Sequence, residues 1–402
     1  MKRALVALAA AALVAASLAS TTSSAAAPAI DLSLGRALRT PGIAPSQTAA
    51  IAIDLRSGET VYSENSTRGL LPASAEKLSV SFTALHALGP RFRFRTELVG
   101  KGSRMGRTWN GDLFLVGYGD PTLDRSDLDR LARRFAATGM RRVAGRVLGD
   151  DTYFDGRRDA PGWKPGYLGI ESRPLSALSV ADVHLIGANG SAVAAARAFV
   201  AALENRGIEV GGRPGARRAP ASAVHIAFDL SQQLAKVVHH MNADSDNFVA
   251  EMILKQLGAS VAERGSTAAG ARVVRSTLAR AEIPLAGVRV ADGSGLSHYD
   301  RSTVTALAGI LRAGASDPTI GRAFVASLAV AGVSGTLRNR LATRPTRGRV
   351  HAKTGTTNRA SALAGFVGTR YVFAILHNGR PIPYWTARAA QDRFVTVLAA
   401  SQ

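Results

Sequence analysis

The sequence predicts an α/β (α+β) protein in which one domain is interrupted by a second, inserted α+β domain. Strand patterns and a helix occupy the first part of the chain, a stretch of different texture follows, and helices and further strands make up the rest. At 402 residues the chain is long enough for two or more domains. We therefore predict one domain from residues 28–91 and 223–402, and an inserted domain from residues 92–222.

The first domain opens on two strand patterns and a helix. Residues 49–54 are an apolar run, and after a turn at 56–59 the chain returns as a second strand at 60–62. A helix pattern then begins at Ser74 and ends at Gly89-Pro90. Its apolar positions recur at helical spacing, at Leu78, Phe82, Leu85 and Leu88.

The predicted insert mixes short strands with helices, and the remainder of the chain is helical before it turns to strands. In the insert we expect strands at 96–99, 112–116 and 146–148, and helices at 125–138 and 193–206. A turn-rich run from Gly211 to Ser222 marks its end. Beyond it we expect helices at 234–257, 267–281, 304–313, 319–329 and 385–399, and strands at 349–353, 362–367 and 371–376.

The first 27 residues predict an export signal. Lys2 and Arg3 precede an apolar run over residues 4–18, and small residues continue to Ala27. The apolar run is shorter than the roughly 20 residues that a membrane-spanning helix needs. We expect cleavage near Ala27 and an exported, extracytoplasmic mature protein.

Composition excludes several classes of chemistry and partner. The chain has no cysteine, so disulfides, thiolate nucleophiles and cysteine-ligated metals are excluded. The eight histidines show no metal-binding spacing, and no metal or cofactor is predicted. The formal charge of +21 is not gathered into a Lys/Arg block or a basic stripe with aromatics, so nucleic acid is not a predicted partner. The charge favours loose association with anionic wall polymers or with lipid head groups on the outer face of the membrane.

The first segment that carries chemistry is Ser74-Ala75-Glu76-Lys77. Positions three apart share a helix face, so Lys77 is predicted to lie beside the Ser74 hydroxyl. A serine hydroxyl becomes nucleophilic when a neighbouring base takes its proton, and lysine can be that base if burial lowers its pKa. Alone, the pattern is far more typical of a solvated helix start.

The second segment is Ser245-Asp246-Asn247, at a predicted junction between a loop and a helix. There Ser245 could relay protons, and the Asn247 amide could hydrogen-bond a substrate. Serine, aspartate and asparagine are also the usual helix-capping residues, so a simple N-cap explains this segment when it is taken alone.

The third segment is Lys353-Thr354-Gly355-Thr356, at the end of a predicted strand. The glycine would let substrate backbone lie close to the strand. Lys353 and the two hydroxyls would supply positive charge and donors for a terminal carboxylate. The backbone N–H groups of Thr356 and Ser74 could together form an oxyanion hole. An ordinary exit from a strand into a turn is the alternative.

Ser-x-x-Lys, Ser-Asp-Asn and Lys-Thr-Gly in this order are the signature of the penicillin-recognising serine enzymes. The interval from Ser74 to Ser245 is too long for a class A β-lactamase and long enough for an inserted domain. The chain resembles the D-alanyl-D-alanine carboxypeptidase/endopeptidases of the penicillin-binding protein 4 type, peptidase family S13. Further segments carry the resemblance: Gly119-Asp120-Pro121-Thr122-Leu123, Ala160-Pro161-Gly162-Trp163, Ser176-Ala177-Leu178-Ser179-Val180, Asp292-Gly293-Ser294-Gly295-Leu296-Ser297 and Gly332-Val333-Ser334-Gly335-Thr336-Leu337.

The resemblance implies a penicillin-binding transpeptidase or β-lactamase-like domain, with an antiparallel sheet flanked by helices. It implies cleavage of the terminal D-alanine from peptidoglycan stem peptides, with endopeptidase activity in some members, and covalent reaction with β-lactams. The residues that it assigns to the site are Ser74 as nucleophile, Lys77 as base, Ser245 and Asn247 in the cleft, and Lys353, Thr354, Gly355 and Thr356 around the substrate carboxylate.

The sequence departs from the family pattern in two features. Some members have an aspartate after the Pro-Gly-Trp segment that receives an amino group of the third stem residue, and the matching position here is Tyr167, with Glu171 nearby. The predicted insert is also shorter than in larger members of the family.

A β-lactamase or esterase on the same catalytic frame is the second interpretation of the function, and a vestigial, non-catalytic wall-binding protein is the third.

Overall fold

The computed structural model describes residues 26–181 and 190–402, and in this part of the chain two sheets form, each covered by helices. The strands are β1 Thr48–Asp54, β2 Thr60–Glu64, β3 Arg95–Met105, β4 Thr108–Gly117, β5 Arg142–Val143, β6 Val147–Asp150, β7 Glu209–Val210, β8 Gly215–Ala216, β9 Val224–Leu230, β10 Ala329–Val330, β11 Val350–Thr357, β12 Ala360–Val367 and β13 Tyr371–Asn378. The α-helices are α1 Ala26–Leu38, α2 Lys77–Leu88, α3 Arg125–Ala137, α4 Gly190–Glu204, α5 Leu234–Ala243, α6 Asn247–Ala262, α7 Thr267–Arg280, α8 Val304–Ser316, α9 Gly321–Ala326 and α10 Tyr384–Ala400. The export signal predicted for residues 1–27 lies outside the described residues except for its last two positions.

The first sheet has the strand order β10-β11-β12-β13-β1-β2, and each neighbouring pair is antiparallel. Both of its faces are covered, because side chains alternate between faces along a strand. In β1, Ile51 and Ile53 pack with helices α2 and α5 to α8, while Ala50 and Ala52 pack with α1 and α10. The predicted antiparallel sheet flanked by helices is confirmed.

The second sheet is mixed and has its own core. Its order is β7-β5-β4-β3-β9, and β6 pairs with both β4 and β8. Leu115 of β4, Leu131 of α3 and Phe199 of α4 belong to one buried cluster on this sheet.

None of the helices in residues 26–181 and 190–402 is long and apolar enough to cross a membrane.

The chain of the second sheet continues past residue 222. Strand β9 pairs with β3 from Arg95↔Leu230 to Gly100↔Val224, and the turn-rich run before it contains β8, so this run lies within the second sheet. The run was interpreted as the end of the insert because nothing in the sequence of β9 indicates that it pairs with β3. The division into domains at 91/92 and 222/223 stays a prediction, and the pairing of β9 favours a boundary after Leu230.

The prediction of a single helix over 234–257 is wrong, because the helical segment is interrupted between α5 and α6. Ser245 adopts a left-handed backbone conformation with φ 65°, which an α-helix cannot contain. Asp246 then caps α6, since its carboxylate accepts a hydrogen bond from the Val249 N–H at 2.9 Å. The predicted junction between a loop and a helix at 245–247 is therefore present. The helix predicted over 319–329 is also too long, because α9 ends at Ala326 and β10 follows.

Candidate active site

Ser74 lies in a tight 3-10 turn, Ala73–Glu76, that leads directly into α2. Ala73 has a left-handed backbone with φ 46°, an uncommon conformation for a residue with a side chain. Two glycines allow other backbones to approach this turn. A Cβ at Gly295 would lie 1.9 Å from the Ala73 carbonyl oxygen, and a Cβ at Gly355 would lie 3.0 Å from the Ser74 nitrogen. The turn is thus held between β11 and the loop that contains Gly295.

The Lys77 side chain is fully buried, and its amine makes hydrogen bonds to groups of the site. Its Nζ donates to Ser74 Oγ at 3.0 Å, to Asn247 Oδ1 at 2.8 Å and to the Ser294 carbonyl oxygen at 2.8 Å. Burial lowers the pKa of Lys77 to about 8, although the carboxyls of Asp292 and Glu251 act in the opposite direction. About a tenth of this amine is therefore neutral at pH 7, and a neutral amine can accept the Ser74 proton.

Ser245 and Lys353 form a second pair at the site. Lys353 Nζ donates to Ser245 Oγ and to the Thr354 carbonyl oxygen, both at 2.9 Å, and the lysine is fully buried. Burial holds the pKa of Lys353 well below its usual value, and the nearby charge of Lys77 lowers it further. Because Ser245 has the left-handed backbone, its hydroxyl reaches Lys353 while Asp246 caps the helix.

The rest of the third segment follows along β11. Thr354 Oγ1 lies 2.8 Å from Thr336 Oγ1, and Thr356 is exposed. Gly355 provides the close approach to Ser74 described above. The structure therefore brings the three predicted segments together: Ser74, Lys77 and Asn247 share one hydrogen-bond network, and Ser245 and Lys353 share another.

Several groups that hold this network were not found from the sequence. Glu251 lies one helical turn after Asn247, and its Oε1 accepts from the N–H groups of Gly293 at 2.9 Å and Ser294 at 2.8 Å. This contact directs the Ser294 carbonyl towards Lys77. The Asp292 carboxyl is buried and accepts from Trp163 Nε1 at 2.8 Å. The i, i+4 spacing of Asn247 and Glu251 was the available sequence signal.

The segment after Trp163 forms one wall of the site. Asn247 Nδ2 donates to the Glu171 carbonyl oxygen at 3.0 Å, which gives Glu171 a place beside the second predicted segment. Tyr167 lines a neighbouring cleft of about 270 Å³ together with Lys164 and Arg359. No aspartate or glutamate is among the described residues that line this cleft. Tyr167 stands where some members of the family have an aspartate, and as a tyrosine it gives this cleft no negative charge.

The site pairs a serine with a buried lysine, and the antiparallel sheet beside it has helices on both faces. Together these features define a serine acyl-transfer hydrolase of the penicillin-recognising class. The model of the D-Ala-D-Ala carboxypeptidase 3 (S13) family matches residues 31–180 and 179–401, and the chain belongs to that family of serine peptidases.

Relatives of known sequence agree with this assignment. The chain is 30% identical over 448 residues to a D-alanyl-D-alanine carboxypeptidase of Actinomadura sp., covering 90% of this chain and 83% of that protein. It is 28% identical over 353 residues to a carboxypeptidase of Mycobacterium tuberculosis, covering 81% and 75%. Penicillin-binding protein 4 from Haemophilus influenzae shares the fold, with a TM-score of 0.81 at 22% identity over 92% of this chain and 98% of that one.

The packing of Gly295 against the nucleophile turn predicts a large loss of stability for Gly295→Ala. Gly295 has φ +82°, and its new Cβ would collide with the Ala73 carbonyl. Gly58→Ala is the matched control, because Gly58 has φ +77° but nothing lies within 4 Å of the added Cβ. We expect the control to lose about 1–2 kcal/mol in the free energy of unfolding by urea, and Gly295→Ala to lose clearly more. Equal losses would show that the contact with Ala73 is unimportant.

Proposed function

We propose that this chain is an exported serine-type D-Ala-D-Ala carboxypeptidase that acts on peptidoglycan stem peptides, and that β-lactams acylate the same residue, Ser74. The observation that carries the proposal is the 3.0 Å contact between Ser74 Oγ and the buried amine of Lys77, whose pKa is about 8. Membership of the S13 family supports it, and so does the solved complex of Haemophilus influenzae penicillin-binding protein 4 with a β-lactam.

In the first step, neutral Lys77 takes the Ser74 proton and Oγ attacks the carbonyl carbon of the penultimate D-alanine. The carbonyl oxygen becomes an oxyanion, which the backbone N–H groups of Ser74 and Thr356 would stabilise. The close approach of Gly355 to the Ser74 nitrogen supports this arrangement, because it puts β11 beside the nucleophile turn.

In the second step, the bond between the carbonyl carbon and the terminal D-alanine nitrogen breaks. The departing amine must gain a proton, and protonated Lys77 or the Ser245 hydroxyl can supply it. The contact between Ser245 and Lys353 at 2.9 Å supports a relay, since Lys353 can restore a proton to Ser245. A water then attacks the acyl-enzyme and gives its proton to the group that protonated the departing amine, either Lys77 or the Ser245–Lys353 pair. Protonated Lys77 returns a proton to Ser74 Oγ as the shortened peptide leaves, which restores the starting state.

The free edge of β11 supports binding of an extended peptide. Strand β10 pairs with β11 only at His351 and Ala352, so among the described strands none covers this edge from Lys353 onward. An extended substrate can hydrogen-bond to such an edge. Lys353, Thr354 and Thr356 would then meet its terminal carboxylate, and Gly355 has no side chain to obstruct the peptide.

Defined muropeptides test the proposed activity. The mature protein is incubated with a stem pentapeptide that ends in D-Ala-D-Ala, and separately with a cross-linked dimer. We expect loss of one D-alanine from the pentapeptide by mass spectrometry, and the dimer arm measures endopeptidase activity. Benzylpenicillin that is hydrolysed in many turnovers, with the pentapeptide left intact, would instead identify a β-lactamase. Binding of both peptides without any product would favour a non-catalytic wall protein.

A further inference from the structure

A groove rich in arginine lies beside the segment that leads into the nucleophile turn. It has a volume of about 440 Å³, and we call it the arginine groove. The described side chains that give it charge and hydrogen-bonding groups are Arg68, Arg301, Arg359, Arg380, Gln47 and Asn378. No aspartate or glutamate is among its described lining residues.

The guanidinium groups of the arginine groove have no acidic partner in the described part of the chain. None of the four arginines takes part in an ion pair there, whereas Arg370 is paired with Asp54 at 2.8 Å. Among the described residues, the Arg301 guanidinium donates only to the carbonyl oxygens of His298 and Asp300. Burial lowers the pKa of Arg301, and the positive charge of Arg359 lowers it further. The arginines therefore repel one another, although Asp300 acts in the opposite direction at Arg301.

The backbone under the arginine groove is firmly tied. Asn378 holds Leu71 through two hydrogen bonds, of 2.8 and 3.1 Å, and the Gly379 N–H donates to the Arg359 carbonyl at 3.0 Å. Leu70 and Ser302 exchange backbone hydrogen bonds of 2.9 and 2.8 Å. These contacts join the four segments that carry the arginines, so the cationic groups are brought together by the fold itself.

The arginine groove shares lining residues with the cleft that adjoins the active site. Leu71 and Arg359 line both the groove and the smaller cleft that contains Tyr167 and Gly295. Leu71 is three residues before Ser74, and Arg359 lies two residues after β11 ends at Thr357. A ligand in the groove would therefore lie close to the active site.

We infer that the arginine groove is a binding site for a ligand with two or more phosphate or carboxylate groups, which it holds beside the catalytic cleft. Guanidinium groups match both anions through paired, charge-assisted hydrogen bonds. In a bacterial wall, these anions are phosphodiesters of anionic polymers or free carboxylates of stem peptides. The inference goes beyond the proposed function, because anion binding requires neither Ser74 nor an acyl-enzyme.

Titration of the mature protein with two probes distinguishes the sources. One probe is a fluorescent glycerol phosphate oligomer, and the other is a fluorescent stem tripeptide that has free carboxylates but no D-Ala-D-Ala end. The test variant is Arg68→Gln with Arg380→Gln, whose side chains are exposed and make no hydrogen bond among the described residues. The control is Arg272→Gln with Arg322→Gln, which removes the same charge from exposed positions elsewhere.

We expect the test variant to bind at least one probe about tenfold or more weakly than wild type, and the control to stay within about twofold. The probe whose binding is lost identifies the anion source. Equal weakening in test and control would overturn the inference in favour of general surface charge, and so would unchanged binding in the test variant. Thermal unfolding checks both variants for folding, with the single Arg68→Gln variant as the replacement if the double one is unfolded. Benzylpenicillin labelling of the wild type runs in parallel, and its failure would contradict the proposed function without affecting the groove.

Discussion

Ser74→Ala is expected to abolish covalent labelling of this chain by benzylpenicillin. Wild-type protein should gain the mass of one β-lactam, because Ser74 Oγ attacks the lactam carbonyl and the opened ring stays attached. The alanine variant has no oxygen at this position, and loss of an attacking nucleophile lowers reactivity by a factor on the order of 10⁴ or more. Mass spectrometry of the intact protein, over a series of incubation times, measures the labelled fraction directly.

Ser63→Ala is the control for the Ser74 variant. Ser63 is an exposed serine of strand β2, and it belongs to none of the three segments. We expect this variant to be labelled at the wild-type rate. A Ser74→Ala variant that still gained the β-lactam mass would place the nucleophile elsewhere and end the proposed mechanism. Loss of D-alanine release in the same variant would connect the labelled residue to the peptidase activity.

The sequence predicted those parts of the site that depend on local geometry. Ser74 and Lys77 are three residues apart at the start of a helix, and that spacing alone brings the amine to the hydroxyl. Likewise Lys353, Thr354 and Gly355 follow one another on a strand, so their mutual placement needs no tertiary information. The convergence of the three segments came from the resemblance to a family and not from periodicity.

The sequence did not predict the groups whose position depends on tertiary contacts. The left-handed backbone of Ser245 breaks a stretch that has helical character on both sides, and a serine gives no signal for that conformation. The carbonyl of Ser294 is a backbone group, which no side-chain motif can reveal. Strand β9 was missed for a similar reason, since its partner β3 is far away in sequence.

Buried carboxyl groups lie behind Lys77 and oppose the effect of burial on its pKa. Glu76, Glu251, Asp292 and Asp300 are all buried in this region. Burial, together with the neighbouring Asp292, raises the pKa of Glu251 to about 8 and raises the pKa of Asp300 and Glu76 well above their usual values. At Lys77, burial outweighs the opposing effect of the neighbouring carboxyls, and its pKa falls to about 8.

Lys77→Met is accordingly expected to slow acylation by benzylpenicillin by about a hundredfold to ten-thousandfold, the usual contribution of a general base. Methionine keeps an unbranched side chain in the buried position but cannot accept the Ser74 proton. Lys77→Arg is the matched comparison, because arginine retains the positive charge and stays protonated. If Lys77 acts as the base, both variants are slow; if it acts only through its charge, the arginine variant keeps much of the rate. Thermal unfolding confirms that each variant is folded.

The pH profile separates a base from a residue that only positions Ser74. With a pKa of about 8, the neutral fraction of Lys77 falls about tenfold for each pH unit below that value, so the wild-type acylation rate should fall in the same way as the pH decreases. Above pH 8 the rate should level off. The methionine and arginine variants should lose this dependence, since neither side chain titrates in that range. A variant that is slow but keeps the wild-type profile would transfer the role of base to another group, and Lys353, whose pKa is also lowered, would be the first to examine.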